Sequence, residues 1–358
     1  MPSLMDPVRF GALDLPNRIV MAPLTRARAT IDHVPTPLMA QYYAQRAGAG
    51  LIVSEAIGIS HQGLGWPKAA GLWTDRQVAG WTDVTDRVHA AGGRIVAQLW
   101  HMGRTVHPDY LDGEAPVSSS ATTAPGKAYT NLGKKPYEAA RALDEAEIPG
   151  VVQQYEVAAA NAMAAGFDGV QIHAGNGYLL DQFLRDGTNH RTDAYGGSIE
   201  NRIRLLHEVV AAVARVVGED RVSVRISPNG DSQGVNDRDP ETLFVAVARR
   251  LAELDIAFLD IREPDFDGTF GKADRPALAP AIRTAFGGNV VLNSDYDPTR
   301  ARDAVSSGAA DAIAFGRLFI ANPDLPARIA ATLPLAAADP AMWYAGEERG
   351  YTDYPSAS

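Results

Sequence analysis

The feature that most narrows what this chain can become is a short apolar segment followed by a helical one, repeated from end to end. Nearly continuous apolar strands alternating with helices imply a parallel sheet covered on both faces. The apolar segments are Arg18–Ala22, Gly50–Ala56, Arg94–Trp100, the run ending at His173, Arg221–Ser227, Ile256–Arg262, Asn289–Asn293 and Asp311–Phe315. That is eight, the number that closes a (β/α)8 TIM barrel. Helix starts are marked by Thr36-Pro37, by capping boxes at Thr74/Gln77 and Asp144/Glu147, and by Asp239-Pro240 and Asp297-Pro298. The corresponding helices are expected to reach Ala47, Ala91 and Ala165, and Ile199 to Val217 reads as a strongly amphipathic one. The competing architecture is an open doubly wound sheet, but no Gly-x-Gly-x-x-Gly follows the first strand.

Residues 1–358 are therefore expected to form a single α/β domain, entered through a short N-terminal hairpin at Val8–Asn17. Residues 102–143 are long for a connection and rich in Pro, Gly and Ser. Loops of this length are usually lids or disordered. Because this one leaves the carboxyl end of strand 3, a capping insertion over the site is the expectation.

Composition limits the partners. The 358 residues carry a formal net charge of -10, which argues against nucleic acid and anionic membranes and for a small-molecule partner. With Cys 0 there is no disulfide, thiolate nucleophile or cysteine-ligated metal. Apolar runs are broken well before the roughly 20 residues of a membrane span. Met1-Pro-Ser-Leu-Met-Asp6 has neither a basic start nor an apolar core, so a cytoplasmic protein is expected, as a monomer or weak homo-oligomer.

In a barrel of this kind the strand carboxyl ends ring one mouth. They would bring together Pro23-Leu24-Thr25, Glu55-Ala56, Gln98 to His101, His173, Arg225, Asn293-Ser294 and Gly316-Arg317. The fourth end is the most informative: Asp168-Gly-Val-Gln-Ile-His173-Ala-Gly-Asn176-Gly-Tyr178 stops an apolar strand at a polar trio in a glycine-broken turn. His173 and Asn176 can donate N–H bonds to one oxygen, and Tyr178 carries a phenol able to donate a proton. The plainer alternative is a satisfied buried histidine, with Gly175 and Gly177 merely serving a turn. Arg225 lies in an apolar strand and needs either an anionic ligand or a core carboxylate such as Glu55. The loops after strands 7 and 8 are a common phosphate position in barrels, and here they hold a small-residue turn beside the Arg317 cation.

Several long blocks in order resemble one family. They are Met21-Ala-Pro-Leu-Thr-Arg26, Ala97-Gln-Leu-Trp-His-Met-Gly-Arg104, Gly177-Tyr-Leu-Leu-Asp-Gln-Phe-Leu184, Asn189 to Arg202, Ala314-Phe-Gly-Arg317, Ala321-Asn-Pro-Asp-Leu325 and Gly350-Tyr-Thr-Asp-Tyr-Pro355. Across essentially the whole chain they resemble the Old Yellow Enzyme family of FMN-dependent alkene reductases, in particular its N-ethylmaleimide reductase-like bacterial branch. The resemblance implies non-covalent FMN and NADPH or NADH as hydride donor, in a ping-pong reduction of activated alkenes: α,β-unsaturated carbonyls, maleimides or nitro compounds. It implies that Ala22, Pro23, Leu24, Thr25, Ala56 and Gln98 line the flavin ring, with Arg225 at its pyrimidine side. Asn293, Ser294, Gly316 and Arg317 would hold the phosphate. His173 and Asn176 would bind the substrate oxygen, Tyr178 would supply the proton, and Trp100, Trp66, Thr36 and Tyr351 would shape the pocket. Relatives commonly carry tyrosine where Trp66 stands. Two other classes stay open: a metal-dependent hydrolase, for which no His-x-His or His-Glu-x-x-His occurs, and a non-catalytic flavin-binding protein, which leaves the trio without purpose.

Overall fold

The structure, a computed structural model, describes residues 1–230, 232–269 and 271–357. The eight apolar segments form β1 (Ile19–Met21), β2 (Leu51–Gly58), β3 (Ile95–Trp100), β4 (Gly169–His173), β5 (Val222–Ile226), β6 (Phe258–Arg262), β7 (Val290–Asn293) and β8 (Ala312–Phe315). Each pairs in parallel with its chain neighbour, and β8 returns to β1, closing the barrel. The open-sheet alternative is thereby excluded.

The main helices follow the strands: α1 (Pro37–Ala44), α2 (Asp75–Ala90), α3 (Ile148–Ala164), α4 (Ile199–Val217), α5 (Pro240–Ala252), α6 (Ala279–Phe286), α7 (Pro298–Ser306) and α8 (Leu325–Ala331). Both expected capping boxes form, at Thr74/Gln77 and Asp144/Glu147. The second opens a single 3-10 turn before α3 begins. Thr36 differs from expectation: its hydroxyl donates to the Arg28 carbonyl at 3.0 Å instead of capping α1. α1 ends three residues early, where Arg46 donates to Tyr42, Phe319 and Ile320 carbonyls.

Strand alternation separates two cores. Ile19, Met21, Ile52 and Ile95 face outward into the helix layer, while Val20, Leu51, Val53, Val96, Phe258 and Val291 fill the barrel interior. The N-terminal hairpin, Val8–Phe10 against Leu13–Leu15, plugs the far end through Phe10, Leu13 and Leu15. Its turn passes so close to the chain that a Cβ on Gly11 would lie 2.2 Å from the Asp220 carbonyl oxygen. Only glycine fits there.

β2 carries a bulge between Val53 and Ala56. The Ser54 hydroxyl takes over the ladder there, accepting from the Gln98 N–H at 3.0 Å and donating to the Glu55 carbonyl at 2.8 Å. Bulges re-aim side chains near sites, and this one directs Glu55 toward Tyr43 and Arg26. Residues 102–143 carry regular structure of their own. They form two 3-10 turns, a two-residue parallel ladder joining Val117–Ser118 to Arg141–Ala142, and an antiparallel hairpin of Lys127–Thr130 and Gly133–Pro136.

Candidate active site

Barrel register assembles a polar layer at the mouth. His173 pairs with Arg225, Arg225 with Asp260, and Arg262 with Asn293 on successive strands. Gln98 donates to Gln171 at 2.7 Å, Gln171 to Asp260 at 3.3 Å, and Arg225 to Asp260 at 2.6 Å and Asn293 at 2.7 Å. Asn293 passes the chain to the Ala314 carbonyl at 2.6 Å. A band of buried polar groups thus crosses the barrel with its hydrogen bonds largely satisfied, which is what such groups require. The carboxylate partner of Arg225 is therefore Asp260, one strand over, and not Glu55. Burial raises the Asp260 pKa while Arg225 opposes that shift.

Beyond His173 the chain turns sharply. Asn176 adopts φ +57, a left-handed conformation that asparagine tolerates, and its N–H donates to Ser227 Oγ at 2.6 Å. Gly177 has φ +78, and a Cβ there would meet the Ser232 carbonyl at 2.6 Å. Its N–H donates to Asp181 at 2.9 Å, and Asp181 is held in turn by Arg185 at 2.8 Å, both fully buried. A buried ion pair thus supports the turn from the short helix Leu179–Leu184 that Tyr178 begins.

The trio comes together. Asn176 Nδ2 lies 3.5 Å from His173 Nε2, and the Tyr178 ring stands edge-on to His173 at 5.1 Å and to Trp100 at 4.9 Å. Burial, with Arg225 and Arg262 adding to it, holds the His173 pKa well below the usual value, so the imidazole is neutral. Burial also raises the Tyr178 pKa, keeping the phenol protonated. His173 Nδ1 and Trp100 Nε1 are buried without a hydrogen-bond partner.

At the ends of β1 and β2, Ala22 and Ala56 are buried and Pro23, Leu24 and Thr25 half-buried, a run of small groups, with Ala56 packed in the same cluster as Trp100 and Tyr178. After β7, Ser294 and Asp295 both take positive φ, 123 and 49. Arg317 is paired there with Asp295, which also accepts from the Thr269 N–H at 3.2 Å. Gly316 approaches the Leu24 side chain closely, since a Cβ there would lie 3.3 Å from it.

Two sequence-predicted pocket residues are engaged by the chain itself. Tyr351 is completely buried, stacked on Tyr42 at 4.0 Å, with the Arg26 and Arg28 guanidinium groups over its ring. Thr36 is tied to the Arg28 carbonyl. Trp66 packs with Tyr129 at 4.7 Å and with Tyr344 at 5.4 Å, an aromatic cluster. Sequence reasoning missed Tyr129, Tyr344, Asp260 and Arg262. For Arg262 the signal was available, because it ends strand 6 as His173 ends strand 4; Tyr344 lies in irregular chain with no local signal.

A family model described as NADH:flavin oxidoreductase / NADH oxidase matches residues 3–336. The chain belongs to this FMN oxidoreductase family, that of Old Yellow Enzyme. The flavin oxidoreductase hxnT of Emericella nidulans is 41% identical over 382 residues, covering 99% of this chain and 97% of that one. 12-oxophytodienoate reductase 2 of Arabidopsis thaliana is 38% identical over 359 residues, covering 99% and 95%. Among solved structures, the old yellow enzyme homologue from Zymomonas mobilis superposes with TM-score 0.97 at 58% identity, covering 99% of both chains. Morphinone reductase in complex with tetrahydroNAD superposes with TM-score 0.95 at 45% identity, covering 100% of this chain and 98% of that one. The enzyme is an FMN-dependent NAD(P)H oxidoreductase of the alkene-reductase type, so the hydrolase and non-catalytic alternatives fall away. Among the described residues no helix is long and apolar enough to cross a membrane.

The mouth suits FMN on this structure's own terms. Small and apolar residues at Ala22, Leu24 and Ala56 would offer a face to a planar ring, Arg225 lies near the carboxyl end of β5 at the same mouth, and Gly316 adjoins the Arg317 cation.

Proposed function

We propose that this enzyme reduces α,β-unsaturated carbonyls, maleimides or nitro compounds in a ping-pong cycle, with His173 and Asn176 as the oxygen-binding pair and Tyr178 as the proton donor. FMN, when bound, supplies hydride transfer from NAD(P)H to the substrate β-carbon in two successive half-reactions. In this reading Ala22, Pro23, Leu24, Thr25, Ala56 and Gln98 contact the ring and Arg225 faces its pyrimidine side. Asn293, Ser294, Gly316 and Arg317 would hold the phosphate, with Arg317 turning from Asp295 to it.

One observation carries the reading: two donors 3.5 Å apart can both reach a single oxygen at ordinary hydrogen-bond length. A neutral imidazole and an amide make that oxygen site without adding a further charge beside the buried Arg225 and Arg262. As the alkene gains electrons, charge accumulates on this oxygen, and fixed donors in a dry pocket stabilise it. Tyr178, beside His173, then protonates the α-carbon from the face opposite the hydride, giving net trans addition. Trp66, Tyr129 and Tyr344 bound the space in which the substrate's other substituents must lie.

Phenolates present an oxygen of the same kind beneath an aromatic ring. The FMN-loaded enzyme should therefore bind them with a long-wavelength charge-transfer band, and His173→Ala should abolish most of it. An undiminished band in that variant would place the oxygen site elsewhere.

A further inference from the structure

Arg262 closes β6 at the barrel mouth, and it turns toward the oxygen site. Its Nη1 donates to Asn176 Oδ1 at 3.3 Å and to Ser232 Oγ at 3.3 Å. A guanidinium has donors only, so it selects the carbonyl end of any amide it meets. With Oδ1 turned to Arg262, the NH₂ end of Asn176 is left facing His173 Nε2. Flipping the amide would set NH₂ against a cation and present a carbonyl oxygen to a substrate oxygen, two mismatches at once. An isolated asparagine side chain has no such preference.

The surroundings make room for the guanidinium and fix its base. A Cβ on Gly271 would crowd Arg262 Nη2 at 3.0 Å, so the glycine leaves that space free, and β6 register holds the Arg262 backbone beside Asn293. Burial and the neighbouring Arg225 lower the Arg262 pKa to about 10, which leaves it charged at neutral pH.

We propose that Arg262 is a positioning residue that determines specificity: it locks the Asn176 amide with NH₂ toward His173, so that the pair accepts carbonyl, nitro and phenolate oxygens. This rests on the oxygen-site reading above and adds a residue that acts through Asn176.

The test is a double-mutant cycle on the FMN-loaded enzyme, titrated with 4-hydroxybenzaldehyde and followed by its charge-transfer band. FMN content and melting are checked for each variant. Arg262→Leu should weaken binding by about tenfold or more, the scale of a hydrogen bond involving a charged group. Arg262→Lys should recover part of the loss by restoring a donor to Oδ1. In an Asn176→Ala background Arg262→Leu should add no more than about twofold, because the group it orients is gone. Should Arg262→Leu lose its FMN, Arg262→Gln, uncharged and too short to reach, carries the same expectation. Unchanged affinity in these variants, or the full penalty persisting without Asn176, would overturn the proposal. Failure of the wild-type enzyme to show the band, or its survival in His173→Ala, would instead sink the oxygen-site reading itself.

Discussion

Tyr178 stands edge-on between Trp100 and His173 with its phenol kept protonated by burial. The same position would suit a group that only fills space, and kinetics separate the two roles. In Tyr178→Phe, reduction by NADPH should proceed almost normally, since no proton goes to substrate in that step. Reoxidation by an enone should slow by roughly 10²–10⁴-fold, the usual loss of a general acid. Reoxidation by a quinone, which needs no carbon protonated, should be spared. Stopped-flow traces decide it: equal slowing with both oxidants, or with neither, removes Tyr178 from the chemistry. Glu55 offers a second residue-scale test. Burial pushes its carboxyl from 4.5 up to about 7, against bonds from the Arg26 N–H and the Tyr43 hydroxyl. Between those values the folded protein holds more protons than the unfolded chain, so this group's contribution to stability falls as pH rises and levels off above the window. The full penalty is about 3 kcal/mol. Glu55→Gln should therefore gain on wild type in urea melts between these pH values, and a pH-independent difference would show that the carboxyl is not perturbed.

At the scale of elements, the C-terminal segment does more than its sequence suggests. Arg26, which follows Ala22 to Thr25, donates to the carbonyls of Trp343 at 3.0 Å and Gly350 at 2.7 Å and to the Tyr42 hydroxyl at 3.0 Å. The clamp holds the segment so that Tyr344 reaches Trp66, while Tyr351 is sealed behind it. From the other side, the hairpin of the 102–143 insertion delivers Tyr129 to the same cluster, and Lys135 pins it to Asp109. Tyr351→Phe removes a hydroxyl that is buried without a partner, so KM should be unchanged and stability equal or up to about 1 kcal/mol higher. Trp66→Ala or Tyr344→Ala should shift KM for bulky substrates by roughly two- to tenfold, the scale of one aromatic contact. Steady-state kinetics on a small and a bulky enone would show this, and a KM change in Tyr351→Phe would return that residue to the pocket. Resemblance to a family marks a tyrosine near Gly350 as important but does not say which face of an irregular segment it occupies.

For the whole molecule, the cofactor is part of the fold's stability, because a ligand that binds only the folded state stabilises it by mass action. Arg317, half-exposed after β8, should contribute about tenfold to FMN retention through its phosphate. Arg317→Ala should accordingly purify with less FMN and show a smaller gap between holo and apo melting temperatures. An unchanged gap would mean that the phosphate is held elsewhere. Much of this architecture was legible in the chain. Eight apolar segments alternating with capped helices leave few arrangements other than a closed parallel barrel, and strand ends then converge by geometry, so His173, Asn176, Tyr178, Arg225 and Arg317 could be named from order alone. What sequence could not supply were partners separated by long stretches of chain. Arg225 meets Asp260 rather than Glu55 because of parallel register and a bulge in β2, and Arg262 meets Asn176 across 86 residues. Local sequence determines an element and the direction its strand end points. Which side chains then meet depends on register, bulges and packing between distant segments, and those exist only once the barrel has closed.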